Sequence, residues 1–256
     1  MTRRDHEGLL DGIVIVAILL ALWEALFAYA GDVAITPPLT TIIYAASLLG
    51  SASFWPHVGA TMLAFAEALA ISALFGVALG LWLGLRRFAG DVAEPILAAL
   101  YTIPKVTLYP VMLLLFGLNL SAKVAFGVIH GLIPIVLFTL VAVRNLPPVY
   151  RRAARTLRLT PWQTVTTVLA PAVTPEIVSG LRIGFAVTLL GVLIGEMFAS
   201  QRGLGFLVIN GINSHNVRLT TAVTLLIILF AIGANWVLLA FERRWSSHGG
   251  SGQELG

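Results

Sequence analysis

Five ionisable residues sit inside long apolar runs: Glu24, Glu67, Lys105, Arg182 and Glu196. A charge in hydrocarbon costs about 2.5–3.5 kcal/mol on insertion scales, so such residues are candidates for pairing or for lining a pathway. Lys105 lies between Pro104 and Pro110. Proline frees backbone carbonyls, and broken helices tend to line cavities, so a lysine there can meet an anionic solute. The alternative for Lys105 is an ion pair with Glu67 or Glu196. Arg182 and Glu196 are fourteen residues apart, close to four helical turns or about 21 Å. They share a face, cannot touch, and read as two separate structural ion pairs. Glu24 follows Trp23 and reads as a packing or interface residue.

Bond-making chemistry has little support. The chain has two lysines, Lys105 and Lys123, and neither belongs to a phosphate-cradling G-x-x-x-x-G-K-[ST] loop. Any ATPase, with its ATP and Mg, is therefore expected in another chain, and no cofactor is expected on this one. There is no cysteine, which excludes disulfides and thiolate chemistry. Histidines 6, 57, 130, 215 and 248 show no ligand spacing, so no metal is expected. His130 reads as a hydrogen-bonded structural residue. No G-x-S-x-G element supports a serine nucleophile.

The elements that hold these residues are read from composition. Charged residues are 11% and apolar residues 58% of 256, against roughly 25% and 45–50% in soluble domains. With a mean hydropathy of +0.93, this is an all-α integral membrane protein. Six spans are expected, at about 12–30, 58–85, 92–118, 122–143, 173–200 and 219–241, as one domain over 1–245. Ala28-Tyr29-Ala30 has the form of a signal cleavage site, but Asp5, Glu7 and Asp11 argue for an uncleaved helix. A short interfacial helix is expected over 39–49. The second span places Ala64, Ala68, Ser72, Gly76, Gly80 and Gly84 four residues apart, a small-residue stripe for close helix packing. The tail at 246–256 is expected to be disordered.

Eleven Lys/Arg fall on one side of these spans and three, Lys123, Arg202 and Arg218, on the other. That split puts both termini and the 144–171 loop in the cytoplasm. The net charge of +4 is thereby a matter of membrane orientation, and no nucleic-acid partner is expected.

The 144–171 loop contains Tyr150-Arg-Arg-Ala-Ala-Arg-Thr-Leu-Arg-Leu-Thr-Pro-Trp162. Thr160 then Pro161 reads as an N-cap with proline at the first helical position, so two short helices are expected, near 149–157 and 161–169. The first is basic with an apolar face. It suits either anionic lipid or a cytoplasmic partner.

This stretch resembles the EAA loop of the permease subunits of binding-protein-dependent ABC importers. Arg152-Ala153-Ala154 stands at the E-A-A positions, Arg158 at the glycine, and Val168-Leu169-Ala170-Pro171 at the closing I-x-L-P. Thr36-Pro37-Pro38, the 104–117 segment with Ser121-Ala122-Lys123, Ser179-Gly180-Leu181-Arg182, Gly195-Glu196 and Gly203-Leu204-Gly205 resemble further family elements. The match spans roughly 12–245 and is most similar to the nitrate/sulfonate/taurine group. Two departures stand out: Arg152 replaces an acid and Arg158 a glycine.

The resemblance implies a transport subunit working as a homodimer, with two ATPase chains on the loop and an extracytoplasmic solute-binding protein outside. It implies ATPase-coupling roles for Arg151, Arg152, Ala153, Ala154, Arg155, Leu157, Arg158, Leu159 and Trp162. A charge reversal at Arg152 should require a matching acid on the partner, and Arg158 should strain a turn built for glycine. Lys105 and the subgroup point to a small anion as cargo. The rival reading, an ion-coupled secondary transporter, predicts paired broken helices in inverted repeats; the break in the third span has no counterpart in the sixth, which lacks proline.

Overall fold

The computed structural model describes residues 3–246, excluding the side chains of 3–10, 151, 161, 199, 241 and 243–246. Most of the expected tail, 247–256, lies outside the described residues. Among the described residues every regular element is a helix. The order is α1 (Arg3–Ala30), α2 (Pro38–Leu49), α3 (Trp55–Leu85), α4 (Arg87–Thr102), a 3₁₀ turn (Lys105–Leu108), α5 (Tyr109–Phe116), α6 (Leu120–Arg144), α7 (Pro148–Thr156), α8 (Pro161–Gln163), a π turn (Thr164–Leu169), α9 (Ala170–Ala199), α10 (Leu204–Asn213) and α11 (Val217–Ser246).

The core is α6, flanked by α3 and α9. The small stripe on α3 is buried in full. A Cβ added at Gly76 would lie 2.7 Å from Ile135, at Gly80 2.8 Å from the Val136 carbonyl, and at Gly84 2.7 Å from Val143. Lipid supplies no hydrophobic drive between helices, so contact depends on close backbone approach, and the stripe provides it along five turns. At the other end of the interface, Ala64, Phe65 and Ala68 pack with Val124, Leu189 and Val192.

Around this core, α11 packs on α2, α9 and α10. Thr36 bonds to Thr41 at 2.7 Å and to Thr221 at 2.6 Å, which ties α2 to α11. The α1 helix stands apart, linked through the Trp23 indole N–H to the Thr36 carbonyl at 3.0 Å.

Among the described residues, five helices are long and apolar enough to cross a membrane. The helix pair Arg87–Thr102 and Lys105–Phe116, bent by 85°, makes six if counted as one span. The two prolines in this pair behave differently. Ile103, before Pro104, is extended at φ −62°, ψ 133°, as pre-proline sterics favour, and the chain turns there. Pro110 sits in the first turn of α5, where its missing N–H removes no helical bond. Two further differences from the sequence reading appear. The second loop helix runs without a break through the π turn into α9, and a helix not anticipated, α10, occupies the connection between the last two spans.

Candidate functional site: the basic loop and the buried charges

Pro147 and Pro148 open the loop helix α7, with Pro148 in its first turn. Its far end closes as a Schellman motif. The Leu159 amide donates to the Ala154 carbonyl and the Arg158 amide to the Arg155 carbonyl, each at 3.0 Å. The residue just before Leu159 must then be left-handed, and Arg158 has φ +50°. Arginine thus occupies the conformation that glycine takes without penalty. The next turn is fixed at once. The Thr160 amide donates to Gln163 Oε1 at 2.9 Å and the Gln163 amide to Thr160 Oγ1 at 3.3 Å, a reciprocal capping box.

The backbone of 156–163 is therefore pinned from both sides while most of its described side chains are exposed. Ala154 is buried at 3% exposure, whereas Leu157 is 68% and Trp162 75% exposed. Val149 and Tyr150 are exposed too, as are Arg152, Ala153, Arg155 and Arg158; Leu159 is half-buried. The Arg151 side chain lies outside the described residues.

Behind this surface the helix widens. Pro171 has no amide for the Thr167 carbonyl, and the Ala170 amide reaches back to Val165. Thr166 and Thr167 donate their hydroxyls to the Trp162 and Gln163 carbonyls, at 2.9 and 2.5 Å. Side-chain competition and a missing donor are the causes of the π turn.

The loop's other root is an ion-pair cluster. Arg144, at the end of α6, contacts Asp91 and lies 2.5 Å from Glu94. These carboxylates were passed over in the sequence, although a three-residue spacing puts both on one face of α4.

The buried charges separate into three kinds. Arg182 pairs with Glu242 of α11 at 3.3 Å, and Ser179 also donates to Glu242. The Glu242 oxygen facing Arg182 has no hydrogen-bond partner, so the contact is one of charge rather than a directed bond. Glu196 is fully buried, but no ion pair holds it among the described residues, contrary to expectation. Thr61 Oγ1 lies 2.8 and 3.0 Å from its two oxygens, and the Gly205 amide donates at 3.0 Å. Gly203, at φ +133°, approaches so closely that a Cβ would overlap the carboxylate. The Gly203-Leu204-Gly205 run is thus a clamp on Glu196. Lys123 and Tyr109 tie the same end of α9, through the Arg202 carbonyl at 3.0 Å and the Gly195 carbonyl at 2.7 Å.

Lys105 pairs with neither Glu67 nor Glu196. Its ammonium donates to the Tyr101 carbonyl at 3.0 Å and lies 4.9 Å from that ring's centre. Glu67 is exposed at the edge of a cavity of about 830 Å³ between α3, α5 and α6, lined otherwise by residues such as Ile71, Phe116 and Val124. Glu24 is exposed on α1. The His130 ring is buried with Nδ1 2.8 Å from the Phe126 carbonyl, and no metal-ligating cluster occurs among the described residues.

Known proteins resemble this chain in sequence. The chain is 27% identical over 237 residues to a probable ABC transporter permease protein of Haemophilus influenzae, covering 91% of this chain and 97% of that one. It is 28% identical to the taurine transport system permease protein of Escherichia coli, over 75% of this chain and 72% of the other. An osmoprotectant import permease protein of Salmonella typhimurium is 34% identical, over 68% and 82%. The family model for binding-protein-dependent transport system inner membrane components matches residues 72–247, which include the second half of α3, all of α6 and α9, the pinned loop and the Gly203-Leu204-Gly205 run against Glu196. The chain belongs to that family of membrane transport components.

Proposed function

We propose that the chain forms the translocation pathway of an ATP-driven importer as a homodimer, with an ATPase subunit docked on each copy's 149–169 surface. The observation that carries this is the pinned loop. Large apolar side chains, Leu157 and Trp162 among them, stand in solvent beside Arg152 and Arg158, on a backbone already ordered by two caps. Exposed apolar groups on a rigid, charged frame fit a protein partner, and preorganisation lowers the ordering cost of binding. Arg152 and Arg158 ask for acidic residues on that partner.

In this reading both termini and the loop are cytoplasmic, and a solute-binding protein delivers cargo to the opposite face. ATP, with Mg, is bound and hydrolysed by the partner. Closure of the ATPase pair draws the two loops together. Because α8, the π turn and α9 are continuous, a push on the loop moves α9 as a body, and the pathway opens outward. Hydrolysis reverses the motion. Lys105 and Glu67 line the pathway, whereas Arg182 and Glu196 keep α9 rigid. The cargo is a small anion of sulfonate or nitrate type. The test is ATP-dependent uptake of a radiolabelled sulfonate into proteoliposomes holding this chain, its ATPase and its binding protein. Uptake that needs all three supports the proposal. Uptake driven by an ion gradient without the ATPase would overturn it.

A further inference from the structure

The face proposed to be extracytoplasmic is poor in cations, with Lys123, Arg202 and Arg218 as its Lys/Arg residues. Two of these three meet at one cavity. It measures about 700 Å³ and is lined by Leu118, Asn119, Lys123, Ser200, Gln201 and Arg202, among others. Lys123 is 7% exposed and gives one hydrogen bond, to the Arg202 carbonyl at 3.0 Å, although an ammonium has three donors. The Arg202 side chain is exposed and has no hydrogen-bonded partner among the described residues. Asn119, the N-cap of α6, makes no capping bond from its side chain, so its amide is available as well. The cavity also lies at the start of a 25-residue helix, the positive end of its dipole. No carboxylate lines it. The oxygens of the buried Glu196 are engaged by Thr61 and Gly205.

We propose that this cavity binds a small oxyanion of the sulfonate, nitrate or phosphate class, held by Lys123, Arg202 and the Asn119 amide. Its position at the outer mouth, where it would receive cargo, rests on the topology proposed above; its affinity for anions does not.

The test is the thermal unfolding midpoint of the purified full chain in detergent, titrated with methanesulfonate at constant ionic strength against chloride. A saturable rise is expected. Arg202→Gln should raise the half-saturating concentration about tenfold, the scale of a lost hydrogen bond to a charged group. Asn119→Asp keeps a good N-cap residue but places a carboxylate in the cavity, and should abolish the effect. A response without saturation, or the same titration curve in wild type and both variants, overturns the proposal. Co-purification of the ATPase is scored on the same samples. Absence of the ATPase would count against the importer reading and leave the anion titration standing. Retained ATPase with no saturable anion effect would sink the anion site alone.

Discussion

The Thr61 hydroxyl holds the buried Glu196 carboxylate from the facing helix, at 2.8 and 3.0 Å, while accepting the Leu204 amide at 2.8 Å. One side chain thus joins α3, α9 and the start of α10. Thr61→Val keeps the shape but removes the hydroxyl from both neighbours. Leaving a buried donor or acceptor unsatisfied costs about 1–3 kcal/mol, more for a charged group. The thermal midpoint in detergent should fall for Thr61→Val and stay near wild type for Thr61→Ser. Equal midpoints for the two would show that the hydroxyl carries no such burden.

Gly80 and Gly233 make a matched pair. A Cβ at Gly80 would meet the α6 backbone at Val136, whereas one at Gly233 meets nothing within 4 Å. Gly80→Ala should therefore push α3 off α6 and destabilise by about 1–3 kcal/mol, the range for overpacking. Gly233→Ala should be neutral or slightly stabilising, because alanine is the better helix former. Denaturant titration of the two variants, followed by tryptophan fluorescence, checks the contrast.

Arg158 bears left-handed strain that glycine would not. Arg158→Gly should relieve up to about 1 kcal/mol and preserve ATPase retention on an affinity column. Arg158→Val, β-branched at a positive φ, should weaken the turn and retention together. If Arg158→Gly loses the ATPase, the guanidinium makes a partner contact of its own.

Arg152 is exposed in the middle of α7, at the position where the E-A-A pattern it resembles has an acid. Arg152→Glu should reduce ATPase retention at low salt at least tenfold, and an acid-to-lysine change on the ATPase should restore it. Failure of every such swap would place Arg152 against lipid rather than against a protein partner.

Much of the core was legible in sequence because its signals are periodic. Six small residues at four-residue spacing predicted the buried stripe on α3, and proline predicted the break at Pro104. Thr160 and Pro161 predicted the helix start that the capping box confirms. What escaped was contact between distant elements. Nothing in local spacing tells that Glu242 faces Arg182 or that Thr61 faces Glu196, 135 residues away. A buried carboxylate suggested an ion pair, but hydroxyl and amide donors satisfy it equally. The α10 helix was missed because the ten residues between Gly203 and Ser214, with Asn210, Gly211 and Asn213 among them, are too few to span a membrane and resemble a loop.

The central claim is that the 149–169 surface seats an ATPase. Native mass of the complex extracted in mild detergent, with and without Leu157→Asp, tests it most directly. Leu157 is 68% exposed, so the substitution should spare the fold. Two copies of this chain with two ATPase chains are expected for wild type, and the dimer without ATPase for Leu157→Asp. A wild-type dimer that never carries an ATPase, or an ATPase retained in full by Leu157→Asp and Trp162→Asp together, would contradict the account.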